Sequence, residues 1–214
     1  MSKIALVTGA SRGLGFAMAE ALAQTHHVVA VARTTGALED LDDRIQAAGG
    51  QSTLAPMDIT NEGAMAQLCR SVYDRWGSVD LWVHCAVHAA PLTPAGHIDP
   101  KDWAKSMSIN ATSMGTLIPY IAPLLGEVGT AMFFEDQTTG AKFHGSYAAS
   151  KAAQITLAKS WAAESASTGP RVLIETPPAM RTATRSRFHP GEDRNALAHP
   201  KDVAQALLPK LLNA

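Results

Sequence analysis

A tyrosine and a lysine four residues apart, Tyr147 and Lys151, have the types and spacing that proton transfer needs. Residues four apart on a helix lie on one face, so a helix over residues 146–165 would bring the two side chains together. The lysine cation would stabilise the phenolate, and we expect it to lower the phenol pKa from about 10 toward neutrality. Such a tyrosine can act as both proton donor and proton acceptor. The spacing also arises by chance, so its position after a predicted fifth strand carries most of the weight.

A glycine-rich turn follows the first apolar run, which covers residues 3–7. Glycine permits sharp turns and close contact between backbone and ligand, and a helix that begins directly afterwards offers unpaired N–H groups to an anion. We therefore predict that this turn binds the pyrophosphate of a dinucleotide, because a plain strand–helix turn needs fewer than three glycines. The predicted cofactor contacts in the turn are Gly9, Ser11, Arg12, Gly13, Leu14 and Gly15.

The charge after the second predicted strand bears on which dinucleotide binds. Arg33 ends that strand, and no acidic residue follows until Glu39. A carboxylate there would bind the ribose 2′-hydroxyl of NAD, whereas an arginine attracts the 2′-phosphate of NADP. Arg12 could add a second cation at the same place. The charges favour NADP over NAD, although both arginines could also be ordinary solvated side chains.

Composition limits the classes of function. The 214-residue chain is 46% hydrophobic and 17% charged with a net charge of −1, which is typical of a soluble globular protein and gives no basis for a nucleic-acid partner. Cys69 and Cys85 form no C-x-x-C motif, which favours a cytoplasmic location. The apolar runs predict neither a signal peptide nor a membrane span. His84, Cys85 and His88 lack further ligands, so we predict no metal site.

Apolar runs alternate with helical patterns along the whole chain. The predicted strands cover residues 3–7, 28–32, 52–57, 79–83, 130–134 and 171–175. The predicted helices begin near Phe16 and then cover about residues 38–48, 62–76, 100–125, 146–165 and 201–212, with Pro119 and Pro123 able to kink or shorten the fourth. This order predicts an α/β fold: one Rossmann-like domain over residues 1–214, a doubly wound parallel sheet of about six strands with helices on both faces. Ligands of such sheets bind beyond the carboxyl ends of the strands.

Together these marks resemble the classical short-chain dehydrogenase/reductase family over nearly the whole chain. The shared marks are Thr8-Gly9-x3-Gly13-x-Gly15, Met57-Asp58-Ile59-Thr60, Ile109-Asn110-Ala111-Thr112 and Tyr147-x3-Lys151. The resemblance implies that Tyr147 is the general acid/base, that Lys151 holds the nicotinamide ribose, and that Asn110 anchors a water in the proton relay. It also assigns Asp58, with Ile59 beside it, to the adenine and Thr182 to the nicotinamide carboxamide. As helix-capping types, Asp58 and Asn110 could also be only caps.

Several segments depart from the family pattern. His84-Cys85-Ala86-Val87 replaces Asn-Asn-Ala-Gly, and Pro177-Pro178 replaces Pro-Gly. The family serine that binds the substrate carbonyl is missing after the fifth strand. Counting back from Gly140 puts Gln137 there with Thr138 beside it, and we expect one of these side-chain donors to hold the carbonyl oxygen.

The leading interpretation is an NADP(H)-dependent oxidoreductase that interconverts a carbonyl and an alcohol on a small molecule. The competing one is a non-catalytic NADP(H)-binding sensor or scaffold, which the missing serine favours and which the presence of Tyr147, Lys151 and Asn110 opposes. A nucleotide-sugar epimerase or dehydratase would need a larger C-terminal region. Arg185 and Arg187 are hypothesised to bind an acidic group of the substrate, the alternative being a solvated flexible face. The sequence shows no seventh strand, which helps to form an interface in the family, so we expect a homodimer, with a tetramer as the alternative.

Overall fold

Six parallel strands form the centre of the protein, as described by a computed structural model over residues 3–212. The strands are β1 (Ile4–Thr8), β2 (His27–Ala32), β3 (Gln51–Pro56), β4 (Leu81–His84), β5 (Thr130–Phe134) and β6 (Arg171–Glu175). Their order in the sheet is β3-β2-β1-β4-β5-β6, and every neighbouring pair is parallel. The order reverses direction between β1 and β4, which opens the crevice where ligands of doubly wound sheets bind.

Helices cover both faces of the sheet. They are α1 (Gly13–Leu22), α2 (Thr35–Ala47), α3 (Glu62–Trp76), α4 (Pro100–Ser106), α5 (Ser113–Leu125), α6 (Gly145–Glu164), α7 (Ala183–Phe188) and α8 (Pro200–Leu212). A π-helical segment, Met107–Thr112, joins α4 to α5, and short 3₁₀ turns cover Ala95–His97 and Arg194–Ala196. The predicted doubly wound α/β fold is confirmed.

One predicted helix needed revision, and one observed helix was not predicted. The helix predicted over residues 100–125 is divided by the π-helical segment, while Pro119 and Pro123 lie inside α5 and do not end it. The short α7 was missed because its sequence, Ala-Thr-Arg-Ser-Arg-Phe, has no apolar periodicity.

Strand residues alternate between two hydrophobic cores, one on each face of the sheet. In β1, Ile4 and Leu6 pack into the core beneath α3, α5 and α6, while Ala5 and Val7 pack into the core beneath α1, α2 and α8. Successive side chains of a strand point to opposite faces, so a strand buried on both faces must be apolar throughout. Each fully buried aliphatic side chain stabilises the fold by about 1.5–3 kcal/mol. This packing holds the carboxyl ends of β1, β4 and β5 beside one another.

Candidate active site

A cavity of about 930 Å³ opens at the carboxyl ends of the central strands. It brings together nearly all the residues predicted to bind cofactor or substrate. The predicted residues in its lining are Gly9, Ser11, Arg12, Gly13, Leu14, Gly15, Arg33, Asp58, Ile59, Gln137, Thr138, Tyr147, Lys151 and Thr182. Asn110 is fully buried behind this lining. The cavity therefore has a glycine-rich end and an end that carries the tyrosine and the lysine.

Close backbone packing explains the glycines of the turn between β1 and α1. Gly9 has a φ of +80°, and a Cβ atom at this position would lie 2.5 Å from the Ala86 nitrogen. A Cβ atom on Gly15 would lie 2.3 Å from the Gly9 carbonyl oxygen. No side chain within residues 3–212 caps α1, whose first turn lines the cavity. Its N–H groups are therefore left for an anionic group, and this arrangement fits a pyrophosphate.

The charge environment of Arg33 differs from the sequence-based expectation. Asp58, from the loop after β3, places its Oδ2 atom 3.6 Å from Arg33 Nη1. Partial burial raises the pKa of Asp58, but hydrogen bonds from Thr60 and the charge of Arg33 outweigh this effect and lower it. Asp58 is distant from Arg33 in the sequence, and the pairing of β2 with β3 brings the two side chains together. Arg12 is exposed at the start of α1.

A carboxylate contacts the Tyr147 phenol. Tyr147 is buried on α6, and its hydroxyl donates a hydrogen bond to Asp136 Oδ2. The other carboxylate oxygen, Oδ1, accepts a hydrogen bond of 2.6 Å from Thr138 Oγ1. Burial and, next, the negative charge of Asp136 raise the pKa of Tyr147 above its usual value. The expected lowering of this pKa is wrong for this structure, because the phenol is buried and is in direct contact with a carboxylate.

Asp136 is the residue that the sequence reasoning missed at this position. Gln137 is exposed, and the Thr138 hydroxyl is bonded to the carboxylate; within the described residues neither side chain is hydrogen-bonded to Tyr147. The assignment of Gln137 or Thr138 to the carbonyl oxygen stays a prediction. The turn between β5 and α6, whose path the sequence does not reveal, is what brings Asp136 to the phenol. The available signal was a carboxylate directly after a buried strand, at the edge where ligands bind.

Lys151 is linked to Asn110 through a glutamine. The Lys151 ammonium group donates hydrogen bonds to the Phe134 carbonyl at 2.7 Å and to Gln154 Oε1 at 2.5 Å. Gln154 Nε2 then donates to the Asn110 carbonyl at 2.8 Å. Burial lowers the pKa of Lys151 to about 8, although the charge of Asp136 acts in the opposite direction. Gln154 was not singled out from the sequence, since its role depends on a residue 44 positions away.

Asn110 lies in the π-helical segment, and both polar atoms of its side chain form hydrogen bonds within the protein. Its Oδ1 atom accepts a hydrogen bond of 2.6 Å from the His88 N–H. Its Nδ2 atom donates to the His88 carbonyl and to Ser150 Oγ, each at 2.9 Å. The Asn110 side chain thereby fastens the loop after β4 to α6, while its backbone carbonyl points to Gln154. π-Helical segments are frequent at functional sites.

His84 at the end of β4 is buried, and Cys85 directly after it is half-buried. His84 Nδ1 and Thr8 Oγ1 lie 2.8 Å apart in a hydrogen bond. Burial, with a smaller effect from the Lys151 charge, lowers the pKa of His84 to about 3. Burial likewise raises the pKa of the Cys85 thiol to about 12. Across residues 3–212 no group of three or more His, Cys, Asp and Glu side chains is placed to hold a metal ion.

The two arginines proposed as substrate contacts already have partners. Arg185 forms a bidentate ion pair with Glu192, at 2.6 Å from Nε and 2.5 Å from Nη2. Arg187 Nη1 donates a hydrogen bond of 2.8 Å to the Ala89 carbonyl. These contacts hold the segment after β6 together and attach it to the loop after β4. Both arginines therefore stabilise the structure in the absence of substrate.

The segment after β6 also closes over the tyrosine. Thr182 begins α7, its hydroxyl accepting a hydrogen bond of 3.2 Å from the Arg185 N–H. At the other end of α7 the Phe188 ring packs edge-on against the Tyr147 ring, with the centroids 4.8 Å apart. Gly13 approaches Thr182 so closely that a Cβ atom added there would lie 3.4 Å from the threonine methyl group. The segment therefore borders both ends of the cavity.

Comparison with known proteins identifies the family. The family model described as short chain dehydrogenase matches residues 3–193. The chain belongs to this family. A curated relative, the cis-4-hydroxycyclohexanecarboxylate dehydrogenase of Sinomonas cyclohexanicum, is 27% identical over 96% of this chain and 87% of its own length. This membership and the relatives' names support an oxidoreductase role for the chain. No helix within residues 3–212 is long and apolar enough to span a membrane.

Solved structures similar to this chain contain both nicotinamide cofactors. A metagenomic short-chain oxidoreductase in complex with NADP has a TM-score of 0.85 and 25% identity, covering 99% of this chain and 91% of its own. A 7α-hydroxysteroid dehydrogenase in complex with NADH and 7-oxo glycochenodeoxycholic acid also has a TM-score of 0.85, with 28% identity over 98% of this chain and 87% of its own. Family membership therefore leaves the choice between NADP and NAD to the residues of this site.

Proposed function

We propose that this short-chain dehydrogenase interconverts a carbonyl and an alcohol on a small molecule with NADP(H). The observation that carries the proposal is one cavity with an uncapped, glycine-lined helix N-terminus at one end and the Tyr147–Lys151 pair at the other. A dinucleotide spanning this cavity would place its pyrophosphate at the first end and its nicotinamide at the second. Cofactor binding and proton transfer would thus both take place at the carboxyl edge of the sheet.

The cofactor would be held along the length of the cavity. The turn from Gly9 to Gly15 would bind the pyrophosphate, while Asp58 and Ile59 would contact the adenine. Lys151 would hold the nicotinamide ribose and Thr182 the carboxamide. The bound nicotinamide supplies or accepts the hydride, and the protein supplies its position and the proton.

The preference for NADP rests on Arg12 and Arg33. Both line the adenine end of the cavity, where a guanidinium group can bind the 2′-phosphate. The ion pair between Arg33 and Asp58 is long and exposed, so a phosphate can compete with the carboxylate for the arginine. NAD is the second candidate, because Asp58 offers a carboxylate to a ribose hydroxyl near the same place.

Proton transfer would be centred on Tyr147. Its hydroxyl would give a proton to the substrate oxygen in reduction and take one in oxidation. Lys151 would orient the nicotinamide ribose beside it, and Asn110 would fix the loop that borders the substrate. Gln137 and Thr138 carry side-chain donors on the loop after β5 and are retained as proposed contacts of the carbonyl oxygen.

A binding assay and an activity assay together test the proposal. NADPH and NADH binding would be followed by fluorescence, and oxidation of each would be measured across a carbonyl panel that includes 4-oxocyclohexanecarboxylate. We expect NADPH to bind more tightly and at least one carbonyl compound to be reduced, with turnover lost in Tyr147→Phe. If neither NADPH nor NADH bound to the protein, the proposal would be refuted.

A non-catalytic NADP(H)-binding sensor or scaffold is the second candidate function. The observation that favours it is the carboxylate of Asp136 on the Tyr147 hydroxyl, at the place where a catalytic tyrosine would meet its substrate. NADPH binding without turnover of any carbonyl or alcohol in the panel would support this candidate.

We also propose that the protein is a cytoplasmic homodimer. Its two cysteines are free, as in proteins of a reducing compartment, and the long helices α5 and α6 offer a surface for a second copy. Light scattering at micromolar concentration measures the oligomeric state, and the mass of one chain would exclude the dimer.

A further inference from the structure

We propose that Asp136 is the base that receives the substrate proton, and that Tyr147 conveys this proton without becoming a phenolate. The inference rests on the proposed oxidoreductase function and names the end of its proton path. It also gives the departure from the family serine a chemical role, since serine is a neutral hydroxyl and aspartate is a titratable group.

The first support is the geometry of the carboxylate. Asp136 lines the same cavity as Tyr147, and one of its oxygens accepts the hydrogen bond from the phenol. Its other oxygen is held by Thr138 at 2.6 Å, which fixes the orientation of the carboxylate. A proton on Tyr147 therefore has an acceptor in direct contact, and that acceptor can exchange protons with water in the cavity.

The second support is the residue between Lys151 and Asn110. A proton leaving through Lys151 would meet the amide of Gln154, which accepts from the ammonium group at 2.5 Å and donates to the Asn110 carbonyl at 2.8 Å. Gln154 is only 1% exposed. An amide N–H holds its proton firmly, so this side chain orients Lys151 but is a poor proton conductor. The route through Asp136 is the one that ends on a titratable group open to the cavity.

The proton step balances in both directions. In alcohol oxidation the C–H bond breaks and its electron pair leaves as hydride to the oxidised nicotinamide. The alcohol O–H proton moves to the Tyr147 oxygen while the phenol proton moves to Asp136 Oδ2. The products are a carbonyl compound, reduced cofactor and a neutral carboxylic acid on Asp136, which then loses its proton to water. Carbonyl reduction follows the same path in reverse and begins from protonated Asp136.

The charges around the pair favour this assignment. Lys151 approaches from α6, Glu135 precedes Asp136 and is paired with Lys159 at 3.1 Å, and Arg185 and His189 reach the cavity from the segment after β6. Burial and the charge of Asp136 raise the pKa of Tyr147, which disfavours a phenolate beside this carboxylate. A phenolate base would need that carboxylate to be removed or protonated.

A titration of Tyr147 tests the pairing without a substrate. The three tyrosines reduce to one in the Tyr73→Phe/Tyr120→Phe background, so phenolate absorbance then reports Tyr147 alone. In this background we expect Asp136→Asn to shift the ionisation of Tyr147 to lower pH. Glu135→Gln is the matched control, since it removes the neighbouring carboxylate that is paired with Lys159, and it should leave the titration unchanged.

The pH dependence of oxidation tests the proton path. The first probe is cis-4-hydroxycyclohexanecarboxylate with NADP⁺, followed by a panel of secondary alcohols. With Asp136 as the base, kcat/KM of the parent protein should not rise between about pH 7 and 10, and loss of the Lys151 proton, whose pKa burial lowers to about 8, should only decrease it. Asp136→Asn and Asp136→Ser should lower it about 100-fold at neutral pH, and their activity should rise with pH because the phenolate must now form.

Each result decides the inference. A shifted titration together with the altered pH profile supports it. An unshifted titration overturns it whether or not the protein turns over any substrate, and a parent profile that rises with pH as in Asp136→Asn also overturns it. Absence of turnover in every variant, with the titration still shifted, refutes the oxidoreductase proposal and the proton step with it. NADPH binding measured on the same samples separates that case from a misfolded protein.

Discussion

The two ends of the cavity are built by different physical means. The turn between β1 and α1 is shaped by backbone, where the absence of a side chain at Gly9 and Gly15 permits contacts that no other residue could make. The ends of β4 and β5 and the start of α6 are shaped by buried polar side chains, among them Asp136, Tyr147 and Lys151. The first end is thus specified by steric exclusion, and the second by hydrogen bonds and charge.

The two ends of the cavity should differ in which amino-acid substitutions they tolerate. A steric requirement is met by one residue type, so the glycine turn has little freedom to vary. A hydrogen-bonded network can keep its fold while one partner is exchanged for another of different chemistry, because several groups share the contacts. We therefore expect substitutions at the glycine end to act on stability and cofactor binding, and those at the tyrosine end to act on catalysis.

The largest effect should come from Tyr147→Phe. It removes the proposed proton donor while keeping the ring that packs on Phe188, so turnover should fall about 1,000-fold with cofactor affinity nearly unchanged. Tyr73→Phe, at a tyrosine that is 56% exposed, is the control and should leave turnover unchanged. Steady-state kinetics and NADPH titration measure the two properties. Retained turnover in Tyr147→Phe would remove this residue from the mechanism.

Gly9→Ala should have the next largest effect, and at the other end of the cavity. The new Cβ atom would lie 2.5 Å from the Ala86 nitrogen at a φ of +80°, so we expect the free energy of unfolding to fall by about 3 kcal/mol. Gly36→Ala, whose Cβ atom would meet only the end of the Glu39 side chain at 4.0 Å, should leave stability equal or slightly higher. Denaturant unfolding compares them, and equal stability of the two variants would contradict the steric argument.

A third test addresses the buried imidazole of His84, whose pKa is lowered to about 3 by burial. The unfolded chain takes up a proton at this histidine below about pH 6.5 while the folded protein does not, so acid favours unfolding. Between about pH 7 and 5 the parent protein should lose about 2 kcal/mol more stability than His84→Gln, whose side chain does not titrate. Chemical denaturation at several pH values measures this difference, and parallel curves for the two proteins would show that His84 accepts the proton when folded.

The smallest of these effects should be that of Arg33→Gln. Loss of the guanidinium group that we propose for the 2′-phosphate should weaken NADPH binding about tenfold and leave NADH binding nearly unchanged. Arg70→Gln, which removes an exposed arginine paired with Asp74 of α3, is the matched control. Fluorescence titration with both cofactors gives the ratio. An equal loss for NADPH and NADH would place Arg33 outside the 2′-phosphate site.

Much of the fold followed from local patterns. Each of the six predicted strands agrees with an observed one to within two residues at either end, because a strand buried on both faces leaves a continuous apolar run in the sequence. The helix over Glu62–Trp76 begins at a side-chain cap, where Asn61 Oδ1 accepts a hydrogen bond of 3.1 Å from the Ala64 N–H. Such signals lie in residues that are close together in the sequence, so strands and helices can be predicted from them.

The candidate site was only partly predictable. The glycine turn and the Tyr147–Lys151 spacing are local patterns, and the structure brings both to one cavity. Asp136, Gln154 and the Asp58–Arg33 pair were missed or misjudged because their partners lie on other elements. The path of the loop between β5 and α6 decides which residue contacts the phenol. This path cannot be predicted from the sequence, because the loop has no periodic pattern.

The sequence by itself determined the parallel sheet, the glycine turn and the spacing that places a tyrosine and a lysine on one helix, because periodicity, sterics and helical spacing act over a few residues. The tertiary structure alone decided what surrounds this pair: a carboxylate 11 residues from the tyrosine contacts its hydroxyl, and beside the lysine lies a glutamine that bonds a carbonyl 44 residues away. The physical reason is that hydrogen bonds and charges act through space, and only the folded sheet brings their partners together.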